Sequence, residues 1–142
     1  MGLMFPIYFI SLIISAGLGL MTASQILDLS DLDCDYINPQ QCCIKLNRLV
    51  MPELLCVGLV VVLHLMTLNW IPTATFLPML AWLIYTHRSN SQGYVNLYDT
   101  STICDQRVIN KHVRRNFFKT IHYIIHFVAF LYVAILELNT TQ

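Results

Sequence analysis

The chain has 142 residues, 56% of them apolar and 11% charged, where soluble domains average about 45–50% apolar and about 25% charged. A soluble core of this size leaves much of its surface exposed and cannot hide that much apolar residue, and a disordered chain would be polar and charged. Eight Lys/Arg balance eight Asp/Glu, so no basic excess points to nucleic acid. With a mean hydropathy of +0.61, residues 1–142 read as one all-α integral membrane domain.

The first span is predicted at about 4–27. No Asp, Glu, Lys, Arg or His precedes Asp28, and roughly 20 apolar residues suffice to cross a bilayer. A secretory signal would carry a basic leading region, yet no Lys or Arg precedes Lys45, so an uncleaved span is expected. Met1-Gly2 opens like a myristoylation signal, but Pro6 stands where Ser or Thr belongs.

Between Leu54 and Thr86 no Asp, Glu, Lys or Arg occurs. At about 1.5 Å per residue this run is too long for one helix and short for two. Asn69-Trp70-Ile71-Pro72 interrupts it. Pro suits the first turn of a helix and Trp the membrane interface. The run predicts a tight, short helical hairpin, about 52–68 and 72–87, with Pro78 kinking the second arm. Thr120 to Leu136, bounded by Lys119 and Glu137, predicts a fourth span over about 117–137.

All eight basic residues fall in two segments, Lys45 and Arg48, then Arg88, Arg107, Lys111, Arg114, Arg115 and Lys119. Basic loops stay cytoplasmic. Four transmembrane helices put both segments, about 28–51 and 88–116, on that side and both termini in the lumen. Three would split them.

The first segment opens with Asp28, Asp31, Asp33 and Asp35. Their spacing suggests a calcium loop, but Tyr36 and Cys42 stand where such a loop needs Gly and Glu. A solvated acidic linker, or a contact to basic residues of a partner, fits better. From Asn38, a plausible cap before Pro39, apolar residues recur at helical spacing up to Pro52. This predicts a short amphipathic cytoplasmic helix at the membrane surface. In the second segment Asp99 is a candidate cap, and Arg107, Lys111, Arg114 and Arg115 form a basic stripe, expected to anchor beside anionic lipid in preference to forming a protein-binding patch.

The five cysteines form no C-x-x-C pair, which argues against zinc, and an odd set expected on the reducing cytoplasmic side argues against structural disulfides. Cys42 and Cys43 are candidates for palmitoylation, or are small apolar residues of a buried face. His122 and His126 share a helix face but lack the Glu of a metalloprotease motif; hydrogen bonding inside the bundle is expected for them and for His64. Ser11 and Ser15 read as packing hydroxyls, and Glu53 and Glu137 as span-end carboxylates within reach of water. No metal, cofactor or catalytic group set is expected, so an enzyme is disfavoured.

Asp31-Leu32-Asp33-Cys34-Asp35-Tyr36-Ile37-Asn38-Pro39, then Cys42-Cys43, Lys45-Leu46-Asn47 and Val50-Met51-Pro52-Glu53, together resemble the cornichon family signature. Trp70, Leu77-Pro78, Leu97-Tyr98-Asp99 and Thr102-Ile103 extend the likeness. The resemblance implies a cargo receptor of the endoplasmic reticulum that cycles to the Golgi. It would bind transmembrane clients (growth-factor precursors, receptors, transporters) and link them to the COPII coat. The alternative is an accessory subunit that stays bound to a channel or receptor. The resemblance implies a client-binding set of Asp31, Asp33, Asp35, Tyr36, Asn38, Pro52, Glu53, Trp70 and Pro78, and a coat-binding set of Asp99, Thr102 and Ile103. Of the I-F-R-T-L coat stretch of fungal members only Ile103 is retained, in Ile103-Cys104-Asp105-Gln106-Arg107. The insertion that receptor-modulating vertebrate members carry before the Cys pair is absent.

Overall fold

Backbone in contact with lipid must satisfy its N–H and C=O groups within the segment, and long apolar runs therefore become helices. The computed structural model describes residues 4–90 and 103–140. It contains α1 (Met4–Asp33), α2 (Pro39–Met66), α3 (Trp70–Asn90) and α4 (Gln106–Thr140), with no strand among the described residues. By length and composition α1, α2 and α4 can cross a membrane, whereas α3, of 21 residues, falls short of that measure.

Two links turn the chain with the same device. After α1, Tyr36 N–H donates to Asp31 O at 2.8 Å and Asp35 N–H to Leu32 O at 3.1 Å. After α2, Asn69 N–H donates to His64 O at 2.8 Å and Leu68 N–H to Leu65 O at 3.1 Å. Both are Schellman caps, in which a left-handed residue lets the next amides close back on the last turn. The left-handed residues are Asp35, with φ 60°, and Leu68, with φ 55°. Asn38 then caps α2 as expected: its side-chain oxygen accepts from Gln40 N–H at 3.0 Å, with Pro39 in the first turn.

The short surface helix before Pro52 is not separate. α2 runs unbroken from Pro39 to Met66, with Pro52 inside it. Proline removes one hydrogen bond, but packing on both sides of it holds the helix. Cys42, Cys43 and Leu46 are buried with Leu29, Leu32, Ile103 and Ile109, and Val57, Val60 and Val61 are buried with Leu18, Phe76 and Tyr123. The acidic residues Asp28, Asp31 and Asp33 likewise form the last turns of α1. Asp99 lies outside the described residues. α4 begins later, where the Asp105 carboxylate accepts from Arg107 N–H at 3.0 Å, and then runs 35 residues without interruption.

Along α1 the buried residues are Tyr8, Ser11, Ser15, Leu18, Thr22, Gln25, Leu29 and Leu32. Their spacing alternates between three and four, the seam of a left-handed helix pair. The partner is antiparallel α4: the Tyr8 and Phe130 rings lie 6.0 Å apart, and the Thr120 hydroxyl donates to the Thr22 hydroxyl at 2.8 Å. Four of the eight seam residues are polar, as suits helices meeting in lipid, where small and hydrogen-bonding residues hold interfaces together. α1 also packs on α2, and α2 on α3.

Leu68 is 70% exposed, and a left-handed backbone costs a non-glycine residue about 1–2 kcal/mol. Leu68→Gly should therefore raise the melting temperature of the detergent-solubilised chain, by about 1 kcal/mol of stability after glycine's own entropy is counted. A melting temperature at or below the parent's would contradict this.

Candidate functional site

Glu53 was expected near water, but the structure turns it inward. It lies in the second turn after the Cys42–Leu46 face of α2 and is only 2% exposed. Its Oε1 accepts from Lys119 Nζ at 3.0 Å and from the Tyr123 hydroxyl at 3.1 Å, both on α4. Lys119 and Tyr123 are one helical turn apart, so both reach the same carboxylate. The Lys119 ammonium also faces the Trp82 ring of α3, 6.0 Å from its centroid. On α1, Thr22 meets Thr120 and Gln25 is buried beside them in the seam. All four helices thus converge at one level around an ion pair. An ionisable residue within a span marks a functional or organising site by default.

A second polar group lies toward the α2–α3 turn. The Ser11 hydroxyl and His64 Nε2 are 2.9 Å apart, and the Asn69 amide donates to the Tyr8 hydroxyl. The His64 ring stacks on Phe130 at 5.3 Å. Between the two levels, Phe76 of α3 meets His122 and His126 edge-on, at 5.3 and 4.4 Å. His126 Nδ1 is 2.8 Å from His122 O, so the pair sits in hydrogen-bonded and aromatic contacts. Among the described residues no group of three His, Cys, Asp or Glu is placed to hold a metal.

The other expected site residues divide sharply by exposure. Asp31, Asp33, Asp35 and Asn38 are exposed around the α1–α2 link, and Tyr36 there is 82% exposed. Pro52, Trp70 and Pro78 are exposed on α2 and α3. Ile103, expected to meet the coat, is fully buried between α1, α2 and α4 and acts there as packing; Asp99 and Thr102 lie outside the described residues. Cys42 and Cys43 are buried as well. The Cys42 thiol sits 3.8 Å from Asp28 O. Burial first, then the neighbouring Cys43, push its pKa up to about 11.

The family model described as Cornichon protein matches residues 4–132. The chain belongs to the cornichon family. It is 33% identical to the "ER-derived vesicles protein erv14" of Schizosaccharomyces pombe, over 93% of this chain and 92% of that one. It is 29% identical to "Protein cornichon homolog 1" of Caenorhabditis elegans, over 79% and 78% of the two chains. It is 27% identical to "Protein cornichon" of Drosophila virilis, over 94% of each.

In this cornichon chain the P-E pair of the family motif thus sets a buried carboxylate, and its partner Lys119 lies outside the motif. The sequence carries only an indirect signal for that partner. Lys119 is the last Lys or Arg of the sequence, one turn before Tyr123 at the edge of an apolar run, and Glu53 is the only Asp or Glu between Asp35 and Asp99.

Removing one member of a buried pair strands the other charge. Lys119→Met should destabilise the solubilised cornichon chain by about 3–5 kcal/mol. Glu53→Gln with Lys119→Met should recover most of that loss, because no unpaired charge remains. Melting curves of the two variants check this; a double variant as unstable as the single one would contradict it. Thiol labelling of the folded chain should modify the exposed Cys34 and Cys104 well before Cys42 and Cys43, as counted by intact-mass spectrometry.

Proposed function

We propose that the chain is a cargo receptor that binds transmembrane clients in the endoplasmic reticulum and promotes their packaging into COPII vesicles. The observation that carries this reading is the likeness to an ER-derived vesicles protein over nearly the whole of both chains. Cornichon proteins are a trafficking family rather than an enzyme family, which fits an adaptor without catalysis.

The orientation follows from charge. Four crossings place Lys45, Arg48 and the basic start of α4 on the cytoplasmic side, with both termini lumenal. α3 makes the third crossing: the 67–69 link reverses the chain directly after α2, and Trp70 suits an interface. The ion pair then lies at the cytoplasmic end of the bundle, just below the α1–α2 link.

On this reading the cytoplasmic end recognises the client. Asp31, Asp33, Asp35 and Tyr36 are exposed on a link fixed at one end by a Schellman cap and at the other by Asn38. A rigid acidic turn suits basic juxtamembrane residues of a client, because complementary charge steers and selects partners. The exposed α3 face with Trp70, Leu77 and Pro78 supplies an apolar wall for the client's span. Glu53 and Lys119 act indirectly, by holding α2 and α4 so that this end keeps its shape.

The test is a surface-proteome comparison of cells with and without the protein. A defined set of membrane proteins should move from the surface to the endoplasmic reticulum. Re-expression of the chain with Asp31, Asp33 and Asp35 each replaced by Lys should fail to restore them. These sites are exposed, so that variant's melting should stay within roughly 1 kcal/mol of the parent. An unchanged surface proteome would overturn the export reading, and stable co-purification with one client from the cell surface would favour an accessory subunit.

A further inference from the structure

One cavity of the molecule has a lining that includes neither member of the ion pair and no residue of the acidic link. It has a volume of about 690 Å³ and opens between the last turns of α3 and the first half of α4. α3 contributes Trp82, Tyr85 and Thr86. α4 contributes Arg107, Asn110, Lys111, Arg114, Arg115 and Phe118, which recur every three or four residues and so share a face.

Its lining is graded along α4. Phe118 lines it together with Trp82 and Tyr85, while Arg114, Lys111 and Arg107 follow successively toward the start of α4. Four cations line the cavity and no carboxylate does among the described residues. Arg107, Lys111 and Arg114 have no carboxylate within ion-pair distance among those residues. Arg115 is only 9% exposed, and its guanidinium donates to His112 Nδ1 at 2.8 Å. That imidazole is held down to about pKa 4, first by burial and then by Arg115, Lys111 and Lys119. Concentrated positive charge of this kind is costly unless an anion neutralises it.

We propose that this cavity binds the phosphorylated headgroup of an anionic phospholipid, a phosphomonoester-bearing inositol lipid being the best fit. The volume lies within the ordinary range for small-molecule sites. Arginine forks match phosphate oxygens two at a time, and lysine adds a point charge. Aromatic side chains at the cavity's membrane end suit the glycerol region of a lipid whose acyl chains remain in the bilayer. A soluble phosphate would use the cations but not that aromatic end. Basic pockets between membrane helices are a known physical solution for such headgroups. The leaflet concerned is cytoplasmic if the orientation proposed above holds; the binding chemistry does not depend on it. Through Trp82, which faces both the cavity and Lys119, an occupied cavity abuts the buried ion pair.

The test uses the full chain purified in neutral detergent. Dioctanoyl phosphatidylinositol 4-phosphate, dioctanoyl phosphatidylserine and free inositol 1,4-bisphosphate are titrated separately. Thermal stabilisation and native mass spectrometry report binding. The inositol lipid should bind saturably, one per chain, at least about tenfold more tightly than either other probe. Arg107→Gln with Lys111→Gln and Arg114→Gln, all exposed positions, should weaken it about a hundredfold while the lipid-free melting temperature holds. Lys45→Gln with Arg48→Gln should leave it unchanged. Phosphatidylserine binding as well as the inositol lipid would reduce the cavity to a diffuse electrostatic anchor and overturn the proposal. So would free headgroup binding as tightly as lipid, or an equal loss in the Lys45 and Arg48 variant.

Discussion

Within a bilayer, lipid is as apolar as leucine, and helices gain little by hiding apolar faces from it. What holds this bundle together must therefore be polar contact and close fit, and the Glu53–Lys119 pair is its strongest instance. α1 packs closely on both α2 and α4, and α3 packs on α2, whereas the α2 and α4 backbones stay apart. The ion pair and the Tyr123 hydroxyl bridge that space from α4 to α2. Without them the α2–α3 hairpin would be tied to α4 chiefly by ring contacts around Phe76, His64 and Phe130. Burying two charges is costly, and the cost is repaid only by good geometry. Here one carboxylate oxygen is met by an ammonium and a phenol, and the ammonium in turn faces an indole.

The same solvent logic orders the rest of the molecule. Ser11, Ser15, Thr22 and Gln25 are buried in the α1 seam, while Leu20 and Leu27 on the same helix are exposed to the surroundings. In water this arrangement would be inside out. In lipid it leaves an apolar exterior that a client span can meet, and confines charge to the helix ends. Exposed acids cluster at the α1–α2 link, with Lys45 and Arg48 following on α2, and the largest group of exposed bases lies on the first half of α4.

This logic also explains what could and could not be read from the chain. Asn38-Pro39 and Asn69-Trp70 were legible as a cap and a turn because their chemistry is local. The apolar runs of α1, α2 and α4 were legible from length alone. The α1 seam was not, because it is written in Ser, Thr and Gln within a uniformly apolar stretch, and helix faces are usually sought as apolar stripes. The continuity of α2 through Pro52 was hidden because its support comes from Leu18, Leu29 and Leu32, far away in sequence. The Glu53–Lys119 pair joins two span edges that nothing local brings together, and each residue alone looked like an ordinary span-end charge. The burial of Ile103 was hidden for a related reason: a motif gives a residue's identity but not the direction its side chain faces.

The separation along the chain between Glu53 and its partners has a consequence for how the protein is made. Tyr123 follows Glu53 by 70 residues. At about 5–20 residues per second of synthesis, α2 enters the membrane several seconds before α4 exists. α3, the least apolar of the helices over a span's length, must be held in the same interval. During it the carboxylate has no ammonium, and the Ser, Thr and Gln seam of α1 has no facing helix. Until α4 is made, the nascent chain carries a carboxylate whose two partners do not yet exist. Emergence of α4 is the event that supplies both partners of Glu53 and the facing helix of the α1 seam.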